Sequence, residues 1–217
     1  MADIFQEVDE EVRRERLEQL WKKHGNLIVA VALVILAAIG GWRAYSWWQD
    51  KKAAEAGAAF EAASTLADEG KHQEAEAAFA KLAAEGTPGY RALARFREAA
   101  QLALHDPKAA VGIYEALASD ASLDRLLQDL AAVRAGLILV DSAPYADLRA
   151  RLEPLAAADR PFRHSARELL ALSAWRSGDG AAARRWIDSI VGDPETPAGI
   201  RNRVEVLLAL IPTDGKG

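Results

Sequence analysis

The residue types that could do chemistry are few. Four histidines, His24, His72, His105 and His164, are the groups that titrate near neutral pH and ligate metals. None lies within helical reach of a second histidine, or of an acid in a ligand-type pattern, and no H-E-x-x-H occurs. His72 and His105 stand at breaks between helical segments, where an imidazole faces water or a helix C-terminus, and all four read as surface histidines. Without a single cysteine the chain has no disulfide, thiol nucleophile or thiolate metal site. No G-x-S-x-G elbow and no glycine-rich phosphate loop is present; "SGDG" (Ser177–Gly180) reads as a helix C-cap followed by a helix start. The residues predict no catalytic group, no cofactor and no metal, and so a non-enzyme.

Two other groupings suggest recognition. Arg91 and Arg95, Arg125 and Arg134, Arg163 and Arg167, and Arg201 and Arg203 fall on alternate helical segments, the first of each predicted pair. First helices of a helical-pair array line its concave face. There Arg91, Arg95, Arg134, Arg163 and Arg167 could form bidentate pairs with carboxylates of an acidic peptide or partner. The same pattern fits solvated or glutamate-paired arginines. The second grouping is "GGWRAYSWWQDKK" (Gly40–Lys52), which holds three of the six tryptophans.

That cluster ends an apolar run, "LIVAVALVILAAIGG" (Leu27–Gly41), which has no polar side chain. Fifteen residues are short for a bilayer, which needs about 20. Gly25 and Asn26 extend the run on one side, and Trp42, Ala44, Tyr45, Trp47 and Trp48 on the other. Trp21 and Trp42 are 21 positions apart, roughly 31 Å along a helix and close to the hydrocarbon thickness. Tryptophan and tyrosine favour headgroup level, and arginine snorkels to it. Trp21, Trp42, Arg43, Tyr45, Trp47 and Trp48 are therefore the expected membrane-interface residues. A soluble core helix and a cleaved signal peptide share the apolar run. Tryptophans and Arg43 stand where a cleavage motif would need small residues, which favours an uncleaved signal anchor. Arg13, Arg14, Arg16, Lys22 and Lys23 precede the run, against Lys51, Lys52 and Arg43 after it. That bias keeps the N-terminus in the cytoplasm and, in a bacterium, puts the following domain in the periplasm. Before the span, Phe5, Val8, Val12 and Leu20 have roughly helical spacing, which fits either a short amphipathic helix or a solvated tail.

Beyond Lys52, helix-length segments alternate with Gly, Pro and Asp breaks. Breaks that open a second helix fall near Lys71, Pro107, Pro144 and Gly180, at intervals of 36, 37 and 36 residues. This matches a helix–turn–helix repeat of the tetratricopeptide kind. Ala75, Phe79 and Leu82 recur as Ala110, Tyr114 and Leu117, and Ala182 with Trp186 repeats the small-then-aromatic step. The third unit, around Tyr145–Leu155, is degenerate, with Pro154 ending or kinking its second helix. The expected fold is all-α: residues 1–24 a tail, 25–48 a transmembrane signal anchor, 49–211 a tetratricopeptide-like α-solenoid of about four helix pairs, and 212–217 a flexible tail. A capping helix near Ala198–Ile211 closes the array.

Residues 53–217 carry 19 Lys/Arg against 24 Asp/Glu, while residues 1–52 balance at eight each. An acidic body argues against nucleic acid as a partner.

The layout resembles the YfgM-like family of single-span inner-membrane proteins. The resemblance is carried by "KHGN" (Lys23–Asn26), "GWRAY" (Gly41–Tyr45), "YRALARFREAAQLAL" (Tyr90–Leu104) and "LLALSAWRSGDGAAARRW" (Leu169–Trp186). It departs beyond Ile190 and in a longer acidic N-terminus. It implies a periplasmic tetratricopeptide-like domain in an ancillary subunit of the Sec translocon, working with periplasmic chaperones on emerging, unfolded polypeptides. An accessory or assembly factor of a respiratory inner-membrane complex fits the same architecture.

Overall fold

The structure, a computed structural model, describes residues 3–211. The expected tail at 212–217, and the side chains of Phe5, Val8, Val12 and Leu20, lie outside the described residues. The chain divides into two compact units, residues 1–54 and 55–217. Among the described residues there are nine α-helices, one 3-10 turn and no strand.

Helix α1 (Asp3–Asp68) enters both units and runs without a break through residues 48 and 49, where the sequence places the end of the span. In the first unit it carries the apolar run. The stretch Trp21–Asp68 contains a window long and apolar enough to cross a membrane, and none of that window is buried. Gly40 and Gly41 sit mid-helix with open space around them. In water each would weaken a helix by about 1 kcal/mol relative to alanine. In hydrocarbon the backbone must satisfy its own hydrogen bonds, which holds such a segment helical.

The second unit is a succession of antiparallel helices: the last turns of α1, then α2 (His72–Glu85), α3 (Pro88–Leu102), α4 (Pro107–Ala118), α5 (Arg125–Leu139), α6 (Tyr145–Leu152), α7 (Arg163–Arg176), α8 (Gly180–Val191) and α9 (Ala198–Leu210). Local chemistry sets these boundaries. Asp106, Asp124 and Asp179 cap α4, α5 and α8 by accepting the backbone N–H of Ala109, Leu127 and Ala182. Pro88 and Pro107 occupy first-turn positions, where no donor is lost. Gly70 and Gly178 adopt φ of 76° and 79°, the left-handed conformation glycine takes at lowest cost. Beside them the N–H of Lys71 reaches Leu66 O, and that of Asp179 reaches Ala174 O. Both are Schellman-type stops between paired helices. In the degenerate third pair, α6 has only 8 residues and gives way to a 3-10 turn, Glu153–Leu155, that contains Pro154.

The expected repeat positions form the core. Ala75, Phe79 and Leu82 are buried against Ala56 and Ala63 of α1 and Ala94 of α3. Ala110, Tyr114 and Leu117 are buried too, and the latter two pack with Ala99 of α3 and Ala131 and Ala135 of α5. Two further clusters continue along the array, around Leu148, Leu152 and Leu170, and around Ile187, Ile190 and Val204. Alanine dominates the helix contacts because a small side chain lets two backbones approach, and the aromatic on the next turn fills the gap beneath. Gly136 is tighter still: a Cβ there would stand 2.9 Å from a methyl of Leu152.

Candidate functional site

The expected interface residues of the first unit are all exposed: Trp21, Trp42, Arg43, Tyr45, Trp47 and Trp48. They organise Gln49 and the two lysines, Lys51 and Lys52, that the sequence reading used only for charge bias. Lys52 Nζ sits 3.8 Å from the centroid of the Trp48 ring, and Lys51 Nζ sits 5.8 Å from that of Trp47. Gln49 Nε2 donates to Tyr45 Oη at 2.7 Å, and the Tyr45 and Trp48 rings are 6.2 Å apart. Each polar partner is four residues on from its aromatic. Helical side chains lean toward the N-terminus, so the polar heads fold back over the rings, an arrangement suited to a boundary between apolar and aqueous media. At the other end the Trp21 ring lies over Gly25, where an added Cβ would be 3.4 Å away.

In the second unit the arginines of the first helices divide into two kinds. Those of α7 and α9 are held by the chain itself. Arg163 Nε donates to Asp193 Oδ2 at 3.0 Å, and its Nη2 donates to Glu195. Arg167 donates to Asp193 Oδ2 at 3.0 Å and also to the carbonyls of Ala156 and Ser189. Arg203 grips Glu168 of α7 with both Nε and Nη2. Arg201 donates to the Val191 and Asp193 carbonyls. On α3, Arg95 donates to Asp120 at 2.9 Å. By contrast Arg91 and Arg134 are exposed. So is Arg97, stacked 6.0 Å from the Phe60 centroid. Among the described residues none of these three makes an ion pair with a carboxylate.

The helix pairs, their small-then-aromatic cores and their first-helix arginines can be compared with known families. The tetratricopeptide repeat-like domain matches residues 18–185. The chain belongs to this family. No curated protein and no solved structure matches it. The match begins before the apolar run and ends within α8, so it takes in the run itself together with the helices up to the first half of α8. Such all-helical repeats typically serve as non-enzymatic scaffolds for protein–protein interaction.

The paired arginines of this tetratricopeptide-like domain surround an open groove of about 630 Å³ lined by Arg163, Arg167, Ser189, Asp193 and Glu195. The Arg163 guanidinium holds the Asp193 carboxyl well below the usual carboxylate range, helped by the Glu195 N–H and by Arg167. The cations of this groove therefore already face an anion of the chain.

His164 is a correction to the sequence reading: it is buried, not at the surface. Helix α7 packs against α5, α6, α8 and α9, so it has little surface to offer. Thr196 Oγ1 lies 3.1 Å from His164 Nδ1 and donates to the Ile190 carbonyl at 2.7 Å. The single hydroxyl proton is used on that carbonyl, so Nδ1 carries a hydrogen and donates to Thr196. Burial, then Arg163, pushes the imidazole pKa below its ordinary value.

A second buried polar residue, Asp129 of α5, escaped the sequence reading. It pairs with Arg160, yet Asp129 Oδ2 and Arg160 Nε have no partner among the described residues, and burial pushes the carboxyl pKa up. The signal available was an acid set in the apolar stretch "LLQDLAAV".

His72 and His105 do lie at breaks and are exposed, lining a hollow of about 420 Å³. His72 Nδ1 is 2.8 Å from Gln101 and His105 Nε2 is 3.2 Å from Glu76. Among the described residues no three metal-donor side chains converge.

Proposed function

We propose that this protein is a membrane-anchored adaptor. The N-terminus lies in the cytoplasm, and the tetratricopeptide-like repeat stands on the periplasmic side of a bacterial inner membrane. There it is ancillary to the Sec translocon and works with periplasmic chaperones on emerging polypeptides. The observation that carries the reading is the direct succession of a membrane-competent apolar helix and an interaction repeat within one family match. Tethering confines the repeat to the membrane surface and raises its effective concentration toward membrane-bound partners. The Lys/Arg bias before the apolar run supports the orientation, and the resemblance to YfgM-like proteins supports the choice of partner.

Crosslinking in native membranes, with mass spectrometry of the products, tests it. Translocon subunits and periplasmic chaperones are the expected partners. Reproducible recovery of respiratory-complex subunits in their place would move the adaptor to that assembly. Cysteine introduced at Ala2 and at Ala209 and probed with an impermeant reagent tests the orientation: Ala209→Cys is expected to label in intact spheroplasts and Ala2→Cys only after lysis.

A further inference from the structure

We propose that the exposed faces of α3 and α5 form a docking surface for a polypeptide segment carrying both carboxylates and apolar side chains. This rests on the scaffold reading and names the partner chemistry of that scaffold.

Charge is the first support. Helices α3 and α5 bear Arg91, Arg95, Arg97, Arg125 and Arg134 against only Glu98 and Asp129, in a body that is acidic overall. Asp129 is buried and committed to Arg160, and Glu98 is partly buried. What α3 and α5 present to solvent is therefore cationic. Arg91, Arg97 and Arg134 add no ion pair of their own among the described residues, so three guanidinium forks are open to an outside anion.

Register is the second. Arg97 and Arg134 lie 37 residues apart, the interval that separates Pro107 from Pro144. They take equivalent places on successive first helices. Tyr114 links their surroundings: its ring is 6.0 Å from that of Phe96, beside Arg97, and its hydroxyl donates to the Phe96 carbonyl at 3.4 Å. Arg134 is near enough to that phenol to act on it electrostatically.

Apolar interleaving is the third. Leu93 stands one turn before Arg97, and Leu126 and Leu137 stand on either side of Arg134 at helical spacing. All three are about half exposed, at 47%, 51% and 49%. A carboxylate bound between such leucines is partly shielded from water, which strengthens its pairing with arginine. Nucleic acid would engage the arginines and leave the leucines in water. An anionic bilayer would be repelled by the acidic remainder of the body.

The test uses the full chain in phosphatidylcholine nanodiscs and a short fluorescein-labelled peptide in which Glu and Leu alternate with Ser. Two counterparts replace every Glu by Lys, or every Leu by Ser. By fluorescence anisotropy the Glu/Leu peptide is expected to bind about tenfold tighter than either counterpart, the equivalent of about 1.4 kcal/mol, and more weakly as salt rises. The Arg97→Ala/Arg134→Ala variant should lose about tenfold, while Arg97→Lys/Arg134→Lys, which keeps the charge but not the bidentate fork, should fall between that variant and the parent. Equal binding of the Lys peptide, or undiminished binding by the alanine variant, overturns the proposal. So does binding that disappears when the nanodisc contains phosphatidylglycerol, because the face would then be taken by lipid. Loss of peptide selectivity with translocon crosslinks intact removes this surface and leaves the adaptor reading. The reverse pattern removes the adaptor reading and leaves the surface.

Discussion

Arg97 and Arg134 stand on α3 and α5 with their guanidiniums exposed, whereas Arg163 and Arg167 on α7 are closed over Asp193. All four are arginines on first helices of tetratricopeptide-like pairs. The difference comes from the loop after each second helix. The loop after α8 carries Asp193, Glu195 and Thr196, which fold back onto α7. The loop after α4 carries Asp120, which reaches Arg95 and the Ser122 N–H and hydroxyl, and leaves Arg97 alone. On α3 and α7 an arginine becomes a strut when a loop acid lies within reach, as Asp120 does for Arg95 and Asp193 for Arg163 and Arg167. The same helix class therefore serves cohesion at one end of the array and display at the other.

The largest effect that sharpens this contrast is expected at the buried pair. Asp129→Ala strands the Arg160 guanidinium and should cost about 3 kcal/mol, read from chemical unfolding of the protein in detergent. Replacing both partners with apolar residues (Asp129→Leu/Arg160→Met) should recover most of that loss, because no unpaired charge is left behind. Arg167→Ala comes next. It releases three acceptors, the Ala156 and Ser189 carbonyls and Asp193, and should cost about 2 kcal/mol by the same measurement. A loss as small as that of a surface arginine would erase the distinction between strut and display.

A pH profile separates the two ends with a smaller effect. The folded-state pKa of His164 lies below its ordinary value of 6.5. The unfolded chain therefore takes up the proton first as pH falls. The stability contributed by the neutral imidazole is present above 6.5 and declines as the pH drops toward the folded-state pKa. Melting temperature should accordingly fall from pH 7 to pH 5, and His164→Asn, which keeps a donor toward Thr196, should flatten that slope. An unchanged slope would place the titration elsewhere. The smallest effect is expected on the display side. Arg97→Ala and Arg134→Ala should each stay within about 0.5 kcal/mol of the parent by thermal unfolding. A larger loss would make these arginines struts as well.

Much of this architecture was legible from spacing. Local rules decide where helices begin and end, so Lys71, Pro107, Pro144 and Gly180 marked the second helices to within a residue. Pro154 ended α6 because its ring blocks helix continuation. The aromatic at Phe79 and Tyr114 revealed the core because one period repeats it. Partnership was not legible. Arg95, Arg163 and Arg167 look the same in sequence as Arg91 and Arg134, and their acids lie 25 to 32 positions away. His164 looked like any histidine near a helix start, although its neighbours on α8 and the following loop bury it.

The sequence by itself determined the helical class, the repeat interval, the helix breaks and an apolar run that its flanks extend to the length of a membrane span. These depend on φ/ψ preferences, capping side chains and hydrophobic periodicity, which act over a few residues. Only the tertiary structure decided which arginines are spent on the chain's own carboxylates and which remain open. That choice depends on where a loop some thirty residues distant returns to the helix surface, and a charge pair forms only at contact distance.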